Sequence, residues 1–550
     1  MSLPAFLLLT AVVVQLVGPL VSSLEKWCRL LWLLILGLTG WQVWHDSVLP
    51  SMISVYLLLA IMFLFFLAGS FRHWRYRAPL RKPYWLRTVA VCLSLPLVVI
   101  PVIEATVLPL GFDDYRRESW PVAFEHVHTT LQTHYAFGKW KKIDWHTLYD
   151  RHYPKIVEAE QMGDEKAYYV ALREYIYALP DGHVGITSQH QNEAEWADIG
   201  GGFGFAVLRL NDGRVIAHIV DRYGPAARAG MTWGAEIVDW DGQPVSEAVA
   251  SVPTLWASRP PATTRNVSIA QHQLLTRASI GTELIVTFRN QGASQTQTVI
   301  LSAINDGFGT YRKAVHWQMA EPSTEPIRHV ILNSNVGYIQ ISTLEPIPGK
   351  LGPVEAMNRA MQHMLDENVQ ALVIDVRGNR GGLDTMVPAM MSYFTPSRLH
   401  YEGVTTYNRW VKDFSRLFSL YVNPNELQFT KPVVVLVDHR TKSSGEGFGL
   451  IAKSLSTVSV VGIHGTDGSF GMAGASILLP TDIEVSYPWG QSVDLDGIVQ
   501  VDSNHALEGG IQPDISIPLT FDIAKEIYLD GNDVVLNFAQ DYLQKQLAKQ

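Results

Sequence analysis

The stretch Val433-Val-Val-Leu-Val437-Asp438-His-Arg-Thr-Lys-Ser443-Ser-Gly-Glu446 reads as an apolar strand that ends in a sharp turn and presents a serine at the start of a helix. A hydroxyl held there is exposed, and the first N–H groups of the helix, which have no intrahelical acceptor, face whatever it attacks. Acyl transfer needs that geometry, so Ser443 is the candidate nucleophile. A plainer reading stands beside it. Ser443 and Glu446 have Ser-x-x-Glu spacing, the pattern of a capping box opening a helix that carries Phe448, Leu450 and Ile451.

Upstream, Ala371-Leu-Val-Ile-Asp-Val-Arg377-Gly-Asn-Arg-Gly381-Gly382 is a second buried-strand run, and it ends in a glycine-rich turn. Glycines there let backbone N–H groups approach a ligand closely, as an oxyanion hole requires. Around these segments, strands at 336–342, 371–376, 433–438 and 458–463 alternate with amphipathic helices at 353–367, 384–394 and 446–456. Such alternation is the signature of a layered α/β core. A last amphipathic helix is expected near 521–548.

The two motifs, in this order and spacing, resemble the paired motifs of S41 family serine peptidases, the C-terminal processing, tail-specific and tricorn-type enzymes. The resemblance implies an α/β fold with a layered S41-type (ClpP/crotonase-like) catalytic core, protein or peptide substrates, and neither cofactor nor metal. Its two branches use different bases. The processing branch pairs its serine with a downstream lysine, but no Lys or Arg occurs between Lys453 and Lys525. A dyad of that kind is excluded, and Lys442, adjacent to the serine, is a poor substitute because neighbouring side chains on an extended turn diverge.

The other branch resembles tricorn peptidase and the interphotoreceptor retinoid-binding modules, and takes its base from an earlier helical region. Ala178-Leu-Pro-Asp-Gly-His183-Val-Gly-Ile is similar to its Leu-x-Asp-Gly-His motif. A neutral imidazole takes a serine proton at neutral pH and returns it to the leaving amine, so His183 is the expected base. Ala506-Leu-Glu508-Gly-Gly-Ile-Gln-Pro-Asp514 resembles the segment that supplies the orienting carboxylate, which implies Glu508; Asp181 and Glu446 compete for that role, and His464 is a weaker alternative base. The implied oxyanion donors are the N–H of Ser444 and one from Gly381 or Gly382. A rival reading keeps the fold without the chemistry: a peptide- or lipophile-binding protein, or a membrane scaffold working through a PDZ-like part.

At 550 residues the chain is too long for a single core. Residues 1–111 are dominated by Leu, Val, Ile, Phe and Trp, with apolar stretches at roughly 4–24, 30–45, 48–71 and 86–110. Crossing a bilayer core takes about 20 residues, so the block is expected to be a four-span α-helical anchor, with the lipid bilayer as a partner. Arg72, Arg75, Arg77, Arg81, Lys82 and Arg87 crowd one inter-span link, and Lys26 and Arg29 another. Positive links stay cytoplasmic, which puts both ends of the block, and the rest of the chain, outside the cytoplasm. A bacterial inner membrane with the catalytic part in the periplasm or at the cell exterior is the expected location.

The only cysteines, Cys28 and Cys92, lie in the apolar block, so the remainder has no disulfide framework, thiol nucleophile or Cys-based zinc site. The net charge of −9 excludes a nucleic-acid partner all the more because residues 1–110 carry a basic excess, leaving the rest strongly acidic. Residues 112–196 read as a helical cap leading into the Asp-Gly-His turn. Residues 197–304 resemble a PDZ domain: in Gly202-Phe203-Gly204-Phe205 the backbone would hold a peptide's terminal carboxylate, and 251–281 look like a polar insertion. The catalytic core then spans 305–523 and a C-terminal helix 524–550. Asn266-Val-Ser268 is a glycosylation sequon.

Overall fold

The structure is a computed structural model that describes residues 112–316, 325–332, 335–408 and 411–549. The four apolar stretches expected to span a membrane lie outside these residues; among the described ones, no helix is long and apolar enough to cross a bilayer. The unit described below is formed by 111–407 and 414–550.

Its centre is a six-stranded sheet in the order Ile327–Leu332, Val336–Ile341, Ala371–Asp375, Val433–Leu436, Val458–Gly462 and Ile515–Ser516. The first pair is antiparallel and the others are parallel. Every residue of Ala371–Asp375 and Val433–Leu436 is buried, because both faces are covered. One face packs Ile374 and Val435 against Met357, Met361 and Phe448 of the helices Pro353–Asp366 and Ser444–Ala452. The other packs Val373 and Val434 against Val535, Ala539 and Leu543 of the helix Val534–Leu547. Two-sided cover is why these strands read as unbroken apolar runs.

Three helices, Trp120–His134, Trp145–Met162 and Glu165–Tyr177, precede the core and share a cluster that includes Phe124, Leu131, Tyr168 and Tyr175. Asp144 and Asp164 cap the second and third by accepting from Thr147 N (3.0 Å) and Ala167 N (2.9 Å). The Asp181–His183 turn lies between the third helix and the strand Gly185–Thr187, which pairs with Ile483–Tyr487. A separate sheet runs Gln297–Ser302, Glu283–Arg289, Glu236–Trp240, Val215–Val220, Phe205–Arg209, with the last strand at its edge.

Two expectations need correction. The segment 251–281 is not only a polar insertion: it contains the helix Thr264–Leu275, capped by Thr263 and burying Ala270, Leu274 and Leu275. The terminal helix is two, Phe521–Tyr528 and Val534–Leu547, broken at Gly531 (φ 75°) and restarted by Asp533, which accepts from Leu536 N at 3.1 Å. The long strands Leu399–Asn408 and Asp413–Val422 had no counterpart in the sequence reading.

Candidate active site

Ser443 has φ 55° and ψ −139°, a conformation that a residue with a side chain rarely adopts. Holding it costs on the order of 1–3 kcal/mol and requires surroundings that over-determine the backbone. Ser443 N–H donates to Ser469 O at 2.9 Å and also lies 3.2 Å from Glu446 Oε2. Lys442 N–H donates to Asn379 O at 2.9 Å, which joins the serine turn to the glycine turn. Asp438 strengthens that joint by accepting from Gly378 N (2.9 Å) and from Arg440 N and Thr441 N (both 3.0 Å). Burial opposes its ionisation, but the Arg440 guanidinium and these donors hold the carboxyl well below the usual range.

The capping box that the spacing suggested is present: Glu446 accepts from the Ser443 N–H, and its own N–H turns back on Ser443, bonding the carbonyl at 2.8 Å beside the serine side chain. The same residue is both helix cap and candidate nucleophile. Fully buried Glu446 also accepts from Gly468 N (2.8 Å) and Ser469 N (3.1 Å), fastening that loop beneath the serine. Burial, then the Asp467 charge, push its carboxyl upward.

Gly381 (φ 93°) lies against the nucleophile: a Cβ there would sit 2.7 Å from Ser443 Cβ. Its N–H, however, donates to Asn379 Oδ1 at 2.8 Å and is spent. Among the described residues the N–H groups of Gly382 and Ser444 donate to no protein acceptor, and the Ser444 hydroxyl, 3.0 Å from Gly382 O, keeps the two backbones side by side.

The histidine turn is tied to the same loop. Lys442 Nζ donates to Gly182 O at 2.9 Å, and Gly182 N–H to Ser469 Oγ at 2.8 Å, so Ser469 holds both turns. A Cβ on Gly182 would fall 2.7 Å from Asp467 Oδ1, which explains glycine at that position. His183 is 9% exposed, and neither ring nitrogen has a partner among the described residues. Burial first, then the charges of Lys442, Arg259 and Lys141, push its pKa well below 6.5. The imidazole is thus neutral at pH 7 and able to accept a proton.

Asp181, completely buried, lies with Oδ1 3.8 Å from His183 Nδ1. It accepts from His183 N (2.8 Å) and Tyr135 OH (2.9 Å). Glu508, the carboxylate expected to orient the base, is not brought there: it is exposed and its Oε2 bonds Asn504 Nδ2 at 3.2 Å. The reason is local, because Asn504 also closes the Glu508 turn through a backbone bond of 2.9 Å. His464 does not serve as an alternative base either. Its ring meets His439 at 6.0 Å and faces a cavity of about 930 Å³, and burial pushes its pKa down to about 3.

That cavity lies between the edge strand 205–209, the helix Thr264–Leu275 and the core sheet, away from Ser443. Gly202 pairs with Arg277 and Ile304, and Phe203 is buried against Trp240. Gly204 has φ 81°, and Phe205 opens the edge strand. The sequon residue Asn266 is buried and donates to Asp467 Oδ2 at 2.9 Å, so it is no glycan acceptor in this fold.

Sequence reasoning missed Asn379, Asp438 and Ser469, which hold the turns together. A polar residue inside the glycine turn was the one visible signal, for Asn379; Ser469 reaches a partner 287 positions away and had none.

Residues 335–517 match the family model described as peptidase family S41. Among solved structures, mature CPAF complexed with lactacystin is similar at 18% identity and a TM-score of 0.52, covering 78% of this chain and 97% of its own. Mature CPAF alone is similar at 18% identity and a TM-score of 0.50, covering 78% and 96%. The photosystem II D1 C-terminal processing protease aligns at 17% identity with a TM-score of 0.35, covering 76% and 98%. The chain thus carries a peptidase family S41 domain over 335–517 and is a serine-type peptidase.

Proposed function

We propose that the protein is a membrane-anchored serine endopeptidase acting on the extracytoplasmic side, with Ser443 as nucleophile and His183 as general base. The observation that carries this reading is the Ser443 elbow, which stands beside the N–H groups of Gly382 and Ser444, neither of them taken by a protein acceptor among the described residues. Ser443 Oγ attacks the substrate carbonyl as its proton passes to His183; the oxyanion is met by the N–H of Ser444 and Gly382, each donor worth roughly 10²–10³ in rate. The imidazolium then protonates the leaving amine, and water repeats the sequence on the acyl-enzyme. Asp181, rather than Glu508, is the carboxylate in reach of Nδ1, and it stabilises the imidazolium once substrate closes the gap.

Residues 1–111 form the four-span anchor and 112–196 the cap, in this proposal. Residues 197–304 act as a PDZ-like module in which the backbone of the Gly202–Phe205 loop holds a substrate's terminal carboxylate while its chain pairs along the edge strand Phe205–Arg209. The test is a fluorophosphonate probe on detergent-solubilised full-length protein, read by peptide mass. An adduct on Ser443 that weakens in His183→Ala supports the assignment. No adduct on folded wild type overturns it and favours a binding protein on the same fold.

A further inference from the structure

The cavity of about 930 Å³ is walled on one side by the edge strand Phe205–Arg209 and the helix Thr264–Leu275. Its lining takes in Val207 and Arg209 but none of Gly202–Phe205, so the loop lies at one end of the strand and the cavity runs beside the rest. A tail with its carboxylate at that loop has its C-terminal end against the first residue of the strand, and it must therefore pair antiparallel to it. Its last residue then lies beside Phe205, and the residues two and four places earlier lie beside Val207 and Arg209, over the cavity.

Positive charge lines it there without a counter-charge. Among the described residues neither Arg209 nor Arg265 forms an ion pair with a carboxylate. Arg265 instead donates to the neutral amide oxygen of Gln512 at 2.7 Å, and burial pulls its pKa down. The carboxylates of the opposite wall are already matched, Asp438 by Arg440 and both Asp375 and Asp533 by Arg377. Two buried histidines share the lining, and each keeps a nitrogen with no partner among the described residues: His218 (4% exposed) at Nδ1 and His272 (6% exposed) at Nε2. His272 Nδ1 donates to Ser268 O at 2.6 Å, so Nε2 is a bare acceptor that can take up a proton and then donate. Burial is the first cause holding both imidazoles toward the neutral form, and an entering anion opposes it. Cations without a counter-charge and buried nitrogens without a partner together fit a ligand that brings a negative group.

Resting on the PDZ-like reading of residues 197–304, we propose that this cavity is a side-chain subsite for an Asp or Glu two or four places before the carboxyl end of a bound tail, with Arg209 and Arg265 as its charge partners. The module thereby selects acidic tails, and does so away from Ser443. A carboxylate accepts two parallel bonds from a guanidinium; a Gln of the same length lacks the charge, and a Lys is repelled.

The test measures, by fluorescence anisotropy, the Kd of fluorescein-labelled peptides on full-length Ser443→Ala protein in detergent, so that no peptide is cut. The peptides share one sequence with a free carboxyl end and differ only in carrying Glu, Gln or Lys at the two upstream places. Glu is expected to bind about tenfold more tightly than Gln, the size of one charge-assisted bond, and Lys more weakly than either. Arg265→Gln should lose most of that ratio, and Arg209→Glu, at an exposed side chain, should turn the preference toward Lys. If Arg265→Gln does not fold, Arg209→Glu decides alone. A Glu-to-Gln ratio near one, or a ratio unchanged in Arg209→Glu, overturns the subsite. Amidating the carboxyl end separates the two failures: free-ended peptides that outbind their amides equally, whichever side chain they carry, sink only the subsite. No binding, or binding unmoved by amidation, sinks the PDZ-like reading and the subsite with it.

Discussion

Lys442 and Ser443 are consecutive, but they serve different turns: the lysine reaches back to Gly182 O while the serine faces the glycine motif. The lysine charge is one reason the His183 pKa lies low, after burial itself. A base must be deprotonated to act, so the acid limb of kcat/KM against pH is expected below 6.5. Removing a neighbouring cation favours the imidazolium, so Lys442→Met should move that limb to higher pH; an unmoved limb would mean that another group sets it. The carboxylates separate in the same way. Asp181→Asn should lower kcat by about 10²–10⁴, whereas Glu508→Ala, at an exposed side chain bonded only to Asn504 in its own turn, should leave steady-state kinetics close to wild type.

The working element is a pair of strand–turn units laced through Asn379, Asp438 and Ser469. Gly381 is where the lacing is tightest: φ 93° and a 2.7 Å approach to Ser443 leave no room for a methyl group. Gly381→Ala is expected to abolish fluorophosphonate labelling while circular dichroism shows a retained fold, since the strain falls on the elbow and not on the core. Ser469→Ala loses the Gly182 N–H bond but keeps the carbonyl that holds Ser443. It should cost about 1 kcal/mol in stability by denaturant titration, with a larger proportional loss in kcat as the histidine turn loosens. The element boundaries were legible because apolar runs bounded by Gly or Asp mark themselves. The helix Thr264–Leu275 was not, because its buried face is narrow and interrupted by polar residues.

Across the whole molecule, Arg377 joins the motif strand to the C-terminal helix by bonding both Asp375 (2.6 Å) and Asp533 (2.7 Å). Removing a buried ion-pair partner typically costs about 3–5 kcal/mol, so Arg377→Met should lower the thermal midpoint markedly and fray the helix Val534–Leu547 first in hydrogen exchange. At the same scale, the proposed anchor predicts that full-length protein resists alkaline extraction from membranes and that its C-terminal part is digested by protease added outside the cytoplasm. Sequence alone determined the alternation of strand, turn and helix, the placing of Ser443 at an elbow and the turn that carries His183. Those follow from local patterns: the burial of apolar runs, the backbone freedom of glycine, the spacing of caps. Only the tertiary structure decided that Asp181 and not Glu508 lies by the histidine, that Gly381 has spent its N–H, and that Ser469 couples the two turns. Each of these depends on which atom of a distant loop arrives within about 3 Å, and no local pattern encodes that arrival.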